Sequence, residues 1–180
     1  MDISIDGLKF ELYIPEAEVK QRVKAVAQQI NEDYKGRQVI LLGILNGAFM
    51  FAADLVRELT VDNEIHFTKV SSYEGTNSTG EVKELIGLTI PLEGRDVIVV
   101  EDIVDTGVTM HHLLNYLKDK GAKSVEVCTL MSKPERRQVE VDIKYCAMVV
   151  PDKFILGYGL DYNNKGRGLK DIYQCIIDNA

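Results

Sequence analysis

The segment at residues 97–109 is the most informative part of the sequence about function. An apolar run, 97–100, ends on two adjacent carboxylates, Glu101 and Asp102. After two intervening residues, Asp-Thr-Gly-Val-Thr follows, and a helical pattern begins there. In an open α/β sheet, ligands bind in the crevice beyond the carboxyl ends of the strands. The segment is therefore placed to bind a ligand.

The second half of this segment is suited to one phosphate group. Thr106, Gly107, Val108 and Thr109 offer successive backbone N–H groups and two hydroxyls at a helix N-terminus, and the glycine has no Cβ to block close approach. The lysine and the GxxxxGK[ST] spacing of a P-loop are missing, which disfavours a nucleoside triphosphatase. The preceding carboxylates repel phosphate, but they accept hydrogen bonds from sugar hydroxyls or bind a divalent cation. The segment therefore predicts a ribose phosphate site.

Other interpretations of Asp-Thr-Gly explain these three residues but not the whole pattern at 97–109. The three residues alone are compatible with a simple helix N-cap, because Asp and Thr cap helices well. Aspartic proteases contain the same letters but are all-β, whereas a helical pattern follows here. A response-regulator receiver domain would have its acidic pair near the first strand and its phosphoacceptor on a later strand. The order of elements in this chain is different. The longer pattern, from the apolar strand to Thr109, favours a ligand site.

The elements that position these residues alternate between strand and helix. Short continuous apolar runs are followed by segments whose apolar residues recur at helical spacing. Strands that are apolar on both faces and alternate with helices are typical of an α/β fold, with a parallel sheet covered on both sides. The predicted elements are helices at 15–34, 48–59 and 110–120 and strands at 39–45, 96–100 and 125–131.

The remaining segments predict a loop and a small second lobe. Residues 74–81, rich in Gly, Ser, Thr and Asn, are predicted to form a mobile loop after a strand at 66–73. We expect a single domain over residues 1–180, with a core at about 16–132 and a hood lobe formed by about 1–15 and 133–180. Short strands are predicted in the tail at 145–150, 154–160 and 172–178.

Composition and charge narrow the class of protein. The 180 residues carry a formal net charge of −7, which disfavours nonspecific nucleic-acid binding. The first ten residues lack the features of a secretory signal, and no apolar run approaches the ~20 residues of a membrane helix. Three widely separated cysteines, without CxxC or Cys/His spacing, predict reduced thiols. We therefore expect a cytoplasmic protein with neither membrane nor nucleic acid as a partner.

The stretch VVEDIVDTGVTM, residues 99–110, closely resembles the phosphoribosyl-pyrophosphate motif of type I phosphoribosyltransferases, in particular of the hypoxanthine-guanine branch. Residues 42–48 resemble the family's pyrophosphate-binding turn, 71–73 the start of its flexible closing loop, and 151–162 its purine-side segment. The resemblance implies the family's fold, a mainly parallel sheet flanked by helices with a small hood. It also implies purine salvage, with Mg²⁺-dependent transfer of the phosphoribosyl group to hypoxanthine or guanine, giving IMP or GMP and pyrophosphate.

The resemblance also implies a role for each site residue. Asp105 is the catalytic acid/base, and Phe154 stacks on the purine, although its spacing alone is more typical of a core residue. The implied partners are phosphoribosyl pyrophosphate, a purine base and further copies of the chain in a homodimer or homotetramer. The implied contacts are Glu101, Asp102, Asp105, Thr106, Gly107, Val108 and Thr109 for the phosphoribosyl group, Lys133, Phe154 and Ile155 for the purine, Asn46, Gly47 and Arg167 for pyrophosphate, Ser72 and Tyr73 in the flexible loop, and Glu101, Asp102 and Asp161 for Mg²⁺.

The sequence departs from the family pattern at Asn46. The family's turn usually carries Lys-Gly, often with a cis peptide before the lysine, whereas this chain has Asn46-Gly47. Asn-Gly also adopts unusual backbone angles without a cis bond, so the peptide geometry stays open. The preference among hypoxanthine, guanine and xanthine stays open too. Two other functions remain as alternatives, a nucleotide-sensing regulator of this fold that binds nucleic acid and a nucleotide-binding protein without turnover.

Overall fold

A computed structural model of the chain describes residues 2–72, 82–86 and 88–176. Tyr73 and the predicted loop at 74–81 lie outside the described residues. The helices are α1 (Glu16–Asp33), α2 (Phe49–Glu58) and α3 (Val108–Asp119), with a 3₁₀ helix at Pro134–Arg136. The strands are β1 (Ile3–Ile5), β2 (Leu8–Ile14), β3 (Val39–Ile44), β4 (Asn63–Ser72), β5 (Val82–Ile86), β6 (Asp96–Val104), β7 (Ser124–Ser132), β8 (Tyr145–Val149), β9 (Ile155–Leu156) and β10 (Ile172–Cys175).

A six-stranded sheet forms the centre of the fold, in the order β5-β4-β3-β6-β7-β8. Five neighbouring strands of this order, β4-β3-β6-β7-β8, run parallel to one another. The edge strand β5 is antiparallel to β4. The chain leaves β3 through α2 towards β4 on one side, and it leaves β6 through α3 towards β7 on the other. The predicted mainly parallel α/β sheet is confirmed, and the change of direction between β3 and β6 opens a crevice at their carboxyl ends.

Helices cover both faces of the central sheet because its inner strands are apolar on both sides. α1 and α2 pack on one face, over strand residues that include Ile98 and Val100. α3 packs on the other face, over Val97 and Val99. Successive side chains of a strand point to opposite faces, so four consecutive apolar residues supply both cores.

The chain's first residues and its C-terminal segment form a separate antiparallel sheet, in the order β1-β2-β10-β9. Its small core contains Phe10, Leu156 and Tyr173. This sheet is the hood implied by the family resemblance. No helix within the described ranges is long and apolar enough to cross a membrane. The cysteines are free thiols, with Cys128 buried and the other two partly buried.

The acidic strand is longer than its apolar pattern predicts. β6 runs four residues beyond Val100, so Glu101 and Asp102 lie within the strand and not in the turn after it. The register with β7 continues to Val104. Pairing with a neighbouring strand therefore extends β6 through residues whose polarity alone indicates a turn.

Two tail strands also differ from the prediction. β8, assigned to the hood from sequence, is the edge strand of the central sheet and pairs in parallel with β7. A short apolar run does not indicate which sheet it joins, because tertiary contacts decide the pairing. The strand predicted at 154–160 is reduced to β9, since Gly157, Tyr158 and Gly159 all have positive φ angles.

Candidate active site

The carboxyl ends of four parallel strands meet at one edge of the central sheet and carry the predicted site residues. β3 leads into Gly47, β6 into Asp105, β7 into Lys133 and β8 into Asp152. Residues distant in sequence therefore converge on the crevice at the switch point.

The turn after β3 is held between the acidic strand and the hood. Its Leu45–Asn46 peptide bond is cis, which answers the question that the sequence left open. Gly47 packs so closely on β6 that a Cβ at this position would overlap the carboxylate of Asp102. On the other side, a Cβ on Gly159 would overlap the carbonyl oxygen of Gly47. The predicted pyrophosphate turn thus adjoins the predicted ribose carboxylates.

Glu101 and Asp102 lie side by side in partly buried positions. The backbone N–H of Asp102 donates to Oε1 of Glu101 at 3.2 Å, and the N–H of Ile103 donates to Oδ1 of Asp102 at 2.8 Å. Removal from water and, second, the negative charge of Asp102 raise the pKa of Glu101 well above its usual 4.5. A sugar hydroxyl or a cation at this position would relieve the crowding of negative charge.

A cavity of about 220 Å³ lies at the start of α3 and is lined by Glu101, Ile103, Val104, Asp105, Thr106, Gly107, Thr109 and Met110. The N-cap of α3 is Gly107, which has a φ of 83° and makes no side-chain cap bond. Glycine adopts this angle readily, and a Cβ there would press on the carbonyl oxygen of Val139. Asp105 therefore does not occupy the N-cap position, and the first N–H groups of a helix, which lack intrahelical acceptors, stand at this cavity.

Asp105 faces Arg136, a residue that the sequence did not single out. Nε of Arg136 lies 3.0 Å from Oδ1 of Asp105, but its N–H does not point at that oxygen. Oδ1 is buried and accepts no hydrogen bond within the described part of the chain. Leaving a buried acceptor unpaired is costly, so this oxygen is suited to accept a hydrogen bond from a ligand.

Lys133 is buried at the end of β7, with 7% of its surface exposed. Its Nζ donates to the carbonyl oxygen of Lys153 at 2.6 Å and lies 3.6 Å from Oδ1 of Asp152. Nη1 of Arg136 lies 3.4 Å from that same Asp152 oxygen. A chain of ionic contacts therefore links the predicted purine lysine to Asp105.

Phe154 and Ile155 differ in what they offer to a ligand. The ring of Phe154 is 42% exposed and contacts Tyr162 edge-on, with the ring centroids 5.6 Å apart. Phe154 is therefore not an ordinary core residue, and part of its surface is free to stack on a base. The side chain of Ile155 is buried, so only its backbone in β9 could serve the predicted purine contact.

Arg167 is tied to the hood loop and to Asp161. Its Nη1 donates to the carbonyl oxygen of Gly159 at 2.8 Å, and its Nη2 lies 2.6 Å from Oδ1 of Asp161. The other Asp161 oxygen accepts a hydrogen bond from the N–H of Asn164 at 2.7 Å. Both Asp161 oxygens are thus engaged, whereas the guanidinium of Arg167 has further donors, since arginine carries five N–H groups.

Within the described residues, no group of three or more acidic, histidine or cysteine side chains is arranged to hold a metal ion. Glu101, Asp102 and Asp161 therefore do not form a metal site among themselves. Mg²⁺ in proteins is commonly bound by one or two carboxylates together with phosphate oxygens of the substrate. Glu101 and Asp102 fit that smaller role, because the Asp102 carboxylate lies against the turn at Gly47 and Glu101 lines the cavity at the start of α3.

Sequence reasoning missed several residues that shape the site, and one predicted residue falls outside the structure's description. Arg136, Asp152 and Gly159 were given no role, although Arg136 follows Lys133 by three residues, the spacing that brings side chains together on a 3₁₀ turn. Asp152 has no comparable sequence signal. Ser72 is the last residue of β4, and Tyr73 lies beyond the described residues.

Comparisons with known proteins agree with this geometry. The hypoxanthine phosphoribosyltransferase of Escherichia coli K12 is 42% identical over 93% of this chain and 96% of its own length. The hypoxanthine-guanine phosphoribosyltransferase of Aquifex aeolicus is 40% identical over 94% of this chain and 97% of its own. A crystal structure of a hypoxanthine-guanine phosphoribosyltransferase from Bacillus anthracis has a TM-score of 0.87 at 39% identity, covering 92% of this chain and 98% of that one.

A family model for the phosphoribosyl transferase domain matches residues 15–163, which include the acidic strand, the cavity at the start of α3 and the turn after β3. The matched segment also contains both the central sheet and the purine-side loop. The chain therefore belongs to the phosphoribosyl transferase domain family.

Proposed function

We propose that the chain transfers the 5-phosphoribosyl group of phosphoribosyl pyrophosphate to hypoxanthine or guanine and releases pyrophosphate. The observation that carries the proposal is the meeting of the cavity at 105–109, the turn at Gly47 and the buried Lys133 at one sheet edge. Relatives named as hypoxanthine and hypoxanthine-guanine phosphoribosyltransferases support it. The products, IMP and GMP, make this a purine salvage reaction.

The sugar phosphate binds at the carboxyl end of β6. The 5-phosphate occupies the cavity lined by Thr106, Gly107 and Thr109, where the first N–H groups of α3 and the threonine hydroxyls donate to it, and the N–H of Val108 belongs to the same set. The helix dipole adds a favourable field for an anion. Glu101 and Asp102 accept hydrogen bonds from the ribose hydroxyls. Burial and, second, the charge of Asp102 raise the pKa of Glu101, and hydroxyls that donate to these carboxylates would offset both effects.

The purine binds between the end of β7 and the hood. Lys133 donates to the carbonyl at the six position, which hypoxanthine and guanine share and adenine lacks. The exposed part of Phe154 stacks on the ring, and the backbone of Ile155 contacts its edge. Lys133 already donates to Lys153 in this structure, which orients its ammonium group before the base arrives.

Asp105 acts as the acid/base of the transfer. A purine ring nitrogen attacks C1′ while the bond from C1′ to pyrophosphate breaks, and the ring proton released from the purine passes towards a base. Oδ1 of Asp105 is buried and forms an ion pair with Arg136, but it accepts no hydrogen bond within the described residues, so it is suited to take up that proton. The transition state resembles an oxocarbenium ion, so charge placed by the site lowers the barrier.

Pyrophosphate leaves on the side of the turn at Asn46 and Gly47, with Arg167 supplying further N–H donors. Asn46 lacks the charge of the family's lysine, so backbone N–H groups carry more of the binding. Mg²⁺ would be held by the pyrophosphate oxygens with Glu101 and Asp102, and by Asp161 through water, because both Asp161 oxygens are engaged. When bound, it would offset the charge that develops on the leaving group.

The proposal is tested by a spectrophotometric assay with phosphoribosyl pyrophosphate, Mg²⁺ and each base in turn. We expect turnover with hypoxanthine, guanine or both, and none with adenine, because adenine presents a donor where the carbonyl would be and would leave one N–H of the buried Lys133 ammonium without its acceptor. Turnover of adenine at a comparable rate would contradict the assignment of Lys133. Including xanthine in the same series shows which substituent at position 2 of the purine ring the site prefers.

The proposal extends to assembly and location. A homodimer or homotetramer is what the family resemblance implies, and closed symmetric assemblies of this kind are common among soluble proteins. Light scattering during gel filtration measures the mass, and a monomer at micromolar concentration would contradict this part. A cytoplasmic location is supported by the three free thiols.

A further inference from the structure

The hood loop at residues 157–160 presses directly on the turn that we assign to pyrophosphate. Gly157, Tyr158 and Gly159 have φ angles of 100°, 49° and 102°, a run of left-handed conformations that folds the loop tightly. There is no room for a Cβ between Gly159 and the carbonyl of Gly47. The position of this loop therefore determines how closely the hood approaches the turn.

Tyr158 anchors the loop to the core. Its side chain is 2% exposed, and its hydroxyl donates to Oδ2 of Asp54 at 2.6 Å. Burial and, second, the hydrogen bond to Asp54 raise the pKa of Tyr158, so its hydroxyl remains a donor throughout the working pH range. Asp54 lies on α2, the helix that begins two residues after Gly47. The bond therefore joins the hood loop to the helix that leads out of the turn.

The same loop also carries the contacts that orient Arg167. The N–H of Tyr158 donates to the carbonyl of Leu169 at 2.8 Å, and the N–H of Gly159 donates to the carbonyl of Arg167 at 2.9 Å. Nη1 of Arg167 donates in return to the carbonyl of Gly159. A shift of Tyr158 would therefore move both the Gly159 backbone that packs on Gly47 and the guanidinium of Arg167.

We propose that Tyr158, through its hydrogen bond to Asp54, is a positioning residue for the pyrophosphate side of the site. The inference rests on the proposed function, because it assigns pyrophosphate to Gly47 and Arg167. Tyr158 touches neither the sugar nor the base in this assignment. Loss of the Tyr158 hydroxyl should weaken the binding of pyrophosphate and of phosphoribosyl pyrophosphate. The purine contacts at Lys133 should stay intact.

The chain contains a matched control for this bond. Tyr145 is also buried and donates to an aspartate, Oδ2 of Asp33, at 2.7 Å. Each aspartate has a basic neighbour, Arg57 for Asp54 and Lys144 for Asp33. Tyr145 joins β8 to the end of α1, at the far end of β8 from Asp152. Tyr158→Phe and Tyr145→Phe therefore remove the same chemistry at two places.

The experiment measures binding of magnesium pyrophosphate by calorimetry, together with the KM for each substrate and kcat. We expect Tyr158→Phe to raise the pyrophosphate Kd and the KM for phosphoribosyl pyrophosphate about 3- to 10-fold, the scale of one lost hydrogen bond. The KM for hypoxanthine should stay within about twofold of the wild-type value, since a smaller change is within the error of such comparisons. Tyr145→Phe should lower the melting temperature while leaving the pyrophosphate Kd, both KM values and kcat unchanged.

A second pair of variants covers the case in which Tyr158→Phe does not fold. Asp54→Asn keeps an oxygen that accepts from the Tyr158 hydroxyl, so it should retain wild-type pyrophosphate affinity. Asp54→Ala removes this acceptor, so its pyrophosphate affinity should fall as much as that of Tyr158→Phe. Unchanged pyrophosphate affinity in Tyr158→Phe or Asp54→Ala, or an equal loss in Tyr145→Phe, overturns the positioning role. Absence of pyrophosphate binding and turnover in the wild type instead overturns the proposed function and this inference with it.

Discussion

The carboxylate of Asp102 lies against the Cα atom of Gly47, in a gap that would not admit a Cβ. This contact joins the carboxyl ends of β3 and β6, the two strands on either side of the switch point. It brings the residues assigned to pyrophosphate within contact of those assigned to ribose. A ligand that carries both groups on one sugar carbon therefore fits this edge.

Replacing Gly47 with alanine should weaken pyrophosphate binding at least about tenfold, because displacement of site groups by around 1 Å has large effects on bound geometry. The added methyl must displace either the Asp102 carboxylate or the turn. Gly168→Ala is the control, since a Cβ at 168 meets no atom within 4 Å. Calorimetry with magnesium pyrophosphate measures both variants, and equal affinities would contradict close packing at Gly47.

Asp105→Asn should lower kcat about 10²- to 10⁴-fold, the usual range for acid/base assistance, with a smaller effect on phosphoribosyl pyrophosphate binding. The amide keeps the volume of the carboxylate but does not take up the purine proton. Thr109→Ala should show the opposite bias, a raised KM with a smaller loss of kcat, because it removes a ligand of the unreacted phosphate. Near-normal turnover in Asp105→Asn would move the acid/base role to another group or to solvent.

Lys133→Met should reduce kcat/KM for hypoxanthine by roughly 5- to 150-fold, the range that corresponds to loss of a buried donor. The variant also removes the contacts to Lys153 and Asp152, so its melting temperature must be measured beside its kinetics. Lys118→Met, at an exposed position on α3, is the control. If Lys133→Met keeps wild-type kcat/KM for hypoxanthine, the base is recognised elsewhere.

Glu101→Gln should change how stability depends on pH. Folded Glu101 keeps its proton above 4.5 because its pKa is raised, whereas an unfolded glutamate loses it. The folded state then binds more protons, so wild-type stability falls as pH rises from about 4.5 through the raised pKa, by at most about 1.4 kcal/mol per pH unit. Glu101→Gln lacks this loss and should be the more stable protein at neutral pH.

Urea unfolding of wild type and Glu101→Gln across the pH range from about 5 to 8 checks this expectation. Glu140→Gln, at an exposed position, controls for loss of a negative charge. Parallel pH dependences in the wild type and Glu101→Gln would show that Glu101 is not the titrating group. The stabilised variant should also bind phosphoribosyl pyrophosphate less tightly, because a carboxylate that accepts from ribose hydroxyls is lost.

The local elements and the polar residues at their ends can be predicted from the amino-acid sequence. The helical spacing before Gly36 predicts α1 nearly to the residue, and the run from Val97 to Val100 predicts the central strand. The change from strand to helix at Asp105–Thr109 likewise predicts a phosphate site at the start of α3. These features depend on residues close in the chain, whose side-chain periods of about 2.0 and 3.6 reveal which face is buried.

Tertiary structure decided how these pieces meet. β8 joins the central sheet although its sequence suits the hood equally well, and β6 continues through Glu101 because β7 offers partners for its backbone. The contact of Arg136 with Asp105 and the bond from Tyr158 to Asp54 join residues that are 31 and 104 positions apart. No local period encodes such pairs, because they form only when separate strands and loops pack at the same sheet edge.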